Sequence, residues 1–432
     1  MPKSVLSILF AATALFAGLS GSYVVPLDHP AIQYATQPAD DPVARLNRKL
    51  ASGEVKLSFS PTHGFLPAVL DALAIPRESQ VLVFSKTSFQ APRIAPRTPR
   101  SIYFNDTASA GWVLGGDVVE MAAIDPRQGA IFYTLDQEPV ERPRFERRDT
   151  SCLQCHASGG TLGVPGLVVR SVYPEPSGMP LFHAGGFVTD HRSPLHQRWG
   201  GWYVTGTHGE QRHMGNAVAR DRDKPDQLDR EGTQNVTDLR GRFDTAAYLT
   251  PHSDIVALMV LEHQTHMTNL ITRVGFETRM AMHMQSALNR ELKLSESELS
   301  DSTRNRIHAA ADELVEYLLF ADETPLEAPL KGVSGFSEVF AKVGPRDRHG
   351  RSLRDLDLTR RVFRYPCSYL IYSEAFDNLP VAARDRVYRR IYEVLTGKDS
   401  SPKFARLSPD DRQAALEILR STKEGLPAYF VE

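Results

Sequence analysis

Two hydrophobic periods divide the chain. Between residues 80 and 136 the apolar positions come in short runs: VLVFS (81–85), SIYFN (101–105), GWVLG (111–115), VVEMAAI (118–124) and AIFYTL (130–135). These runs are rich in Val, Ile, Phe and Tyr and are bounded by Pro, Gly, Asp and Asn, which predicts strands separated by turns. The stretch DPRQG (125–129) reads as a hairpin connection, and three prolines within 92–99 predict an extended loop. Runs at 166–173, 181–188 and 200–206 predict further strands that would extend the same sheet. From residue 254 the spacing turns helical. Helices are expected over 254–292, over 301–321 with Ile307, Ala311, Leu314 and Leu318 on one stripe, and over 380–396 with Val387, Ile391, Val394 and Leu395 inward. A further helix should start after Ser408, where Ser408 can cap, Pro409 suits the first turn, and Asp410 and Asp411 favour the positive end of the dipole. A short amphipathic helix is expected at 42–50. The pattern predicts an α+β protein with a β-rich N-terminal half and a mostly α-helical C-terminal half.

The first residues break this pattern. Lys3 precedes an apolar run of 15 residues (5–19), followed by small residues at Ser20, Gly21 and Ser22. That length is short for a membrane span and suits a signal-peptide core. The expected organisation is a signal peptide at 1–22, a β-rich domain at 23–250 and a helical domain at 251–432. An uncleaved anchor is the alternative reading of the first segment, and it would be the chain's one membrane contact. Both readings export the remainder, to the periplasm or an equivalent compartment. The 50 Lys and Arg nearly balance the 52 Asp and Glu, so charge provides no reason to expect nucleic acid as a partner.

Only three cysteines occur, Cys152, Cys155 and Cys367, and an odd count argues against a disulfide framework. Two of them fall in Cys152-Leu153-Gln154-Cys155-His156. The C-x-x-C-H spacing lets two thiols add across the two vinyl groups of a haem while the adjoining imidazole lies below the iron. A structural zinc site would need two more ligands at paired spacing, and no second C-x-x-C exists. A thioredoxin-like pair should open a helix after a strand in a βαβ unit, whereas here Arg147-Arg148-Asp149 precedes the motif and a Gly-rich stretch (159–166) follows. An ordinary disulfide would leave His156 without a role. The pentapeptide resembles the haem-attachment site of c-type cytochromes. That resemblance covers five residues and implies one covalent haem c, with Cys152 and Cys155 as thioether points and His156 as proximal iron ligand. The mid-chain position, flanked by expected strands, departs from small soluble cytochromes c.

The second axial ligand decides the chemistry. A protein ligand there makes an electron carrier, and an open position admits small molecules. On the helix over 254–292, Met259, His263, Met267, Leu270 and Val274 share an apolar stripe, while Glu262, His266, Asn269, Arg273 and Glu277 form a polar one. His263 is therefore the preferred distal ligand, and His266 is expected to pair with Glu262. Met214, beside His213 and near His208 in a Gly-rich loop, is the alternative; Met179 and His183 are weaker candidates. His191, His196, His308 and His349 are expected at the surface, and Cys367, in an aromatic run, as a buried thiol. Arg147 and Arg148, in an Arg-rich stretch just before the motif, are candidates for contacting the haem propionates. Three functions follow as expectations. One is a single-electron carrier serving redox donor and acceptor proteins. Another is a haem enzyme, peroxidase-like or acting on a small-molecule substrate, with Tyr203, His208 or His213 for acid–base work. The last is a haem-bearing sensor or assembly subunit.

Overall fold

The structure is a computed structural model and describes residues 24–430. The expected signal segment at 1–22 lies outside the described residues. Helix α1 (Pro42–Ser52) forms because Asp41 accepts hydrogen bonds from the Val43 and Ala44 N–H groups, Pro42 sits in the first turn, and Gly53 closes the end in the left-handed region. Its buried Val43, Leu46 and Leu50 join Leu66, Val69 and Leu70 of α2 (Leu66–Ala72) in one hydrophobic cluster. Six strands follow: β1 (Val81–Val83), β2 (Arg100–Phe104), β3 (Ala108–Trp112), β4 (Val118–Asp125), β5 (Gly129–Asp136) and β6 (Glu146–Arg147). Then come helix α3 (Thr150–His156) and the strands β7 (Arg170–Val172), β8 (Gly186–Val188), β9 (Trp202–Tyr203), β10 (Val218–Ala219) and β11 (Leu228–Asp229). The main sheet is antiparallel throughout, in the order β6-β5-β4-β3-β2-β1-β9.

Two expectations about strands need correction. Strand β3 lies at 108–112 rather than 111–115. The Asn105 side chain accepts from the Thr107 and Ala108 N–H groups and so tightens the β2–β3 turn, and a second turn at Val113–Gly116 ends the strand early. Of the runs after 166, only β9 joins the main sheet; β7 and β8 pair separately as a ribbon.

The register gives the sheet two distinct faces. Tyr103, Ala110, Met121 and Tyr133 align across one face, which packs on α1 and α2. Ile102, Gly111, Glu120 and Thr134 align across the other. Beside that second row, Ala122 and Phe132 pack against Cys152, Leu153 and Leu167.

The C-terminal half holds α4 (Ile255–Leu292), α5 (Asp301–Leu318), α6 (Phe336–Lys342), α7 (Glu374–Asp377), α8 (Val381–Leu395) and α9 (Pro409–Thr422). The protein is therefore α+β, with strands before residue 230 and long helices after 254. Ser408 caps α9 by accepting from the Asp411 N–H, and the stripe Ile307, Ala311, Leu314 and Leu318 of α5 is buried as expected. Helix α4 runs for 38 residues and serves both large clusters: Val256, Leu258 and Val260 lie in the C-terminal one, Phe276 and Met280 in the N-terminal one. Glu262, Asn269 and Glu277 of its polar stripe are buried too, so each of these polar groups needs a partner. Among the described residues no helix is long and apolar enough to cross a membrane.

Candidate functional site

The C-x-x-C-H motif lies on α3, a short helix directly after the edge strand β6. The strand-then-helix context withheld from this motif by its flanking sequence is thus present. The strand is antiparallel, however, and the pairing that follows, β7 with β8, is antiparallel too, so no βαβ unit forms. One helical turn brings Cys152, Cys155 and His156 to a common cavity of about 280 Å³. Its sheet wall carries Arg100, Ile102, Gly111, Glu120, Phe132 and, from β9, Trp202, and the rest of its lining includes Leu167, Val169 and, from α4, Leu261 and Thr265. The volume is near the lower end of the roughly 300–1,000 Å³ typical of ligand pockets. Exposed Cys155 and Phe89 (67% exposed) mark its opening to solvent. Both thiols are free, and partial burial raises that of Cys152 above its ordinary value.

His156 is held in one tautomer. Its Nδ1 lies 2.9 Å from the Gly166 carbonyl, which only accepts, so Nδ1 carries the proton and donates. That leaves a lone pair on Nε2, which has no protein partner among the described residues. Burial lowers the imidazole's pKa and favours this neutral form. The Phe132 ring packs against the imidazole at 4.7 Å. Gly166 is fixed in turn by α4. Asn269 accepts from the Leu167 N–H at 3.0 Å and donates to the Leu167 carbonyl at 2.7 Å, and a Cβ on Gly166 would stand 2.2 Å from the Asn269 Oδ1. A ligating imidazole with its far nitrogen bonded to a carbonyl is the arrangement that orients and strengthens a metal ligand.

Among the described residues no group of three or more His, Cys, Asp and Glu side chains is placed to hold a metal ion. The residues at the cavity fit a haem in one further respect. Arginines also reach the cavity. Arg148 lines it, donating from Nε to Thr134 Oγ1 at 2.9 Å and pairing with Glu146 at 2.7 Å. Arg147 turns to the other side of the strand, where it binds Asp149 and the Tyr34 carbonyl and covers the Tyr34 ring at 4.8 Å. Consecutive residues of a strand face opposite ways, so the two arginines part company. Arg100, unflagged by its sequence neighbourhood, takes the place at the cavity that Arg147 does not.

Neither distal candidate reaches this cavity. His263 is 1% exposed, and both its nitrogens are engaged, Nδ1 with His191 Nδ1 at 2.9 Å and Nε2 with Ser368 Oγ at 2.7 Å. It is stacked on Tyr317 and Phe320, deep among aromatic rings. Met214 is 2% exposed in a separate small cluster with Leu181 and Ala217, and its sulfur accepts from Ser171 Oγ at 3.5 Å. His208 and His213 are buried beside one another at 4.7 Å, and Tyr203 donates to the Pro96 carbonyl at 2.7 Å; none of the three lines the cavity. His183 bonds the Arg222 carbonyl at 3.0 Å, and Met179 is exposed. His191, expected at the surface, is 2% exposed because it stacks on Tyr317 at 3.9 Å. His266 pairs with Asp190 at 3.5 Å, while Glu262 pairs with the buried Arg198 at 2.8 Å, so these two helix neighbours find partners from the segment 190–198 instead of each other. Cys367 is wholly buried, as expected, and burial raises its thiol pKa.

Arg100, Gly111, Glu120, Gly166 and Asn269 escape sequence reasoning because each acts through a partner distant in the chain. The one available signal was the Gly-rich stretch around Gly166. No family model, curated protein or solved structure matches this chain.

Proposed function

We propose that this chain is an exported monohaem c-type cytochrome in which Cys152 and Cys155 carry the haem and His156 Nε2 holds its iron. One observation carries the reading: an imidazole locked by Gly166 with an unshared lone pair shares a cavity with both thiols of a C-x-x-C-H motif. Bound there, haem c supplies one-electron chemistry and an iron that takes axial ligands. The chain's own residues do the rest. Asn269 and Gly166 orient the imidazole, and Ile102, Leu167, Val169 and Trp202 keep water from the cavity wall. Arg148, at the edge beside Cys152, offers a guanidinium to a haem propionate. The segment at 1–22 supports export.

The cavity lining favours the small-molecule reading over a sealed electron carrier. Among the lining residues His156 is the one imidazole, and the one methionine, Met121, belongs to the core on the far face of the sheet. A haem held there would meet no second imidazole and no free methionine sulfur among the lining residues, as an oxidoreductase or sensor requires.

The test is a haem-stained denaturing gel followed by optical spectra of the reduced protein with and without carbon monoxide. Stain in the wild type, its loss in Cys152→Ala/Cys155→Ala, and a Soret shift with the gas are expected. A wild type without covalent haem would sink the proposal. A spectrum indifferent to the gas would return the protein to the class of sealed carriers.

A further inference from the structure

We propose that Arg100, steered by Glu120, forms an anion-binding site in the haem cavity that holds a small monoanion as an exogenous ligand of the iron. The inference rests on the haem reading above and names the ligand class for that site.

Arg100 has donors to spare. Nη2 donates to Glu120 Oε2 at 2.5 Å, and Nε and Nη1 have no partner among the described residues. Nε is shielded from solvent as well. A guanidinium offers five N–H donors, and leaving one unmatched in a shielded place is costly unless a ligand completes it. The group lies where Gly111 has no side chain: a Cβ there would come within 2.3 Å of Nη2 and 2.7 Å of Nε. Any other residue at 111 would displace the guanidinium from the sheet wall.

Glu120 fixes this arrangement. Its second oxygen accepts from Ser88 Oγ at 3.2 Å and Gln90 Nε2 at 2.9 Å, so three donors hold the carboxylate in place. The carboxylate in turn orients Arg100 and offsets its charge. Arg100, Glu120 and His156 line the same cavity.

A propionate is the rival anion for Arg100. Propionates form the polar edge of a haem and belong at the mouth, where Arg148 stands with a side chain 42% exposed. Arg100 is deeper, at 20%. Ile102, Trp202 and Leu261 wall the same space, and a single guanidinium half-neutralised by Glu120 suits a compact monoanion rather than a hydrated multivalent one. The ligand class is an anion of one charge and a few heavy atoms with a donor lone pair for iron.

The experiment is an optical titration of the ferric, haem-loaded full chain with azide, and with neutral imidazole as control, in the wild type, Arg100→Leu, Arg100→Lys and Glu120→Gln. Arg100→Leu should weaken azide about 10- to 100-fold while leaving imidazole within about twofold. Arg100→Lys should recover part of the loss, since it restores charge without the fork. Glu120→Gln removes the offsetting charge and should tighten azide. Should Arg100→Leu fail to fold, the lysine and glutamine variants carry the test alone. A wild type that loads haem but ignores azide overturns the proposal. So does azide affinity unchanged in Arg100→Leu, and a shifted midpoint potential in that variant would then make Arg100 a propionate anchor. A wild type with no covalent haem is a separate failure, which brings down the attachment reading and this proposal together.

Discussion

His156 is half-buried and His263 wholly buried, but both are flanked by aromatic rings and burial lowers the pKa of both. They differ most in their hydrogen bonds. His156 spends a single nitrogen on the protein, while His263 spends both. The difference separates an imidazole with a free nitrogen from a core histidine. A metal needs an unshared lone pair, and a nitrogen that is hydrogen-bonded inside a packed aromatic cluster would have to break that bond and move its neighbours before it could ligate.

The sharpest way to break the comparison is to remove each ring. His156→Ala should abolish the ligand field of the haem, seen as a changed Soret band and altered reduced spectrum. His263→Ala should leave those spectra untouched, and a changed spectrum would restore His263 as a ligand. The same variant should instead cost about 2–4 kcal/mol of stability by urea unfolding, because it removes the ring bonded to Ser368 Oγ and His191 Nδ1 and opens a hole among Tyr317 and Phe320. A loss below about 1 kcal/mol would mean that the cluster relaxes freely.

The smallest effect is a slope with pH. Burial lowers the pKa of His263 to about 3, against about 6.5 for an unfolded chain. Between these values the unfolded state binds a proton that the folded state refuses. The stabilising contribution is therefore whole above about pH 6.5 and is lost as pH falls toward the folded value, at about 1.4 kcal/mol per pH unit. Buried Glu323, pushed up to about 7, tilts the other way, so the informative quantity is a difference. The stability advantage of the wild type over His263→Gln should shrink by about that slope between about pH 6 and pH 4. Parallel curves would assign the buried titration to other groups.

Periodicity disclosed much of the fold. The strands at 118–125 and 129–136 and the helices at 255–292 and 409–422 fall within a residue or two of where alternation, helical spacing and Ser408 put them. The runs at 166–173 and 181–188 misled, because a β-like composition says nothing about which strand an element will pair with. The C-x-x-C-H motif is likewise legible, since its residues are contiguous in the chain. The surroundings of the motif are not. Arg147 and Arg148 look equivalent in sequence, and only the pleat of β6, carried one residue further by the Arg148 N–H bond to the Phe132 carbonyl, sends the first to Tyr34 and the second to the cavity. The apolar stripe of α4 correctly buries His263, but a stripe does not say what lies against it, and here it is His191, Tyr317 and Ser368.

By itself the sequence determined the two-part α+β layout and the C-x-x-C-H pentapeptide, because hydrophobic periods and covalent chemistry are written in neighbouring residues. Only the tertiary structure decided which imidazole keeps a free nitrogen, that Gly111 makes room for Arg100, and that Glu120 meets it. Those choices follow from strand register and from how α4 docks on the 166–167 backbone, and both depend on contacts between residues far apart along the chain.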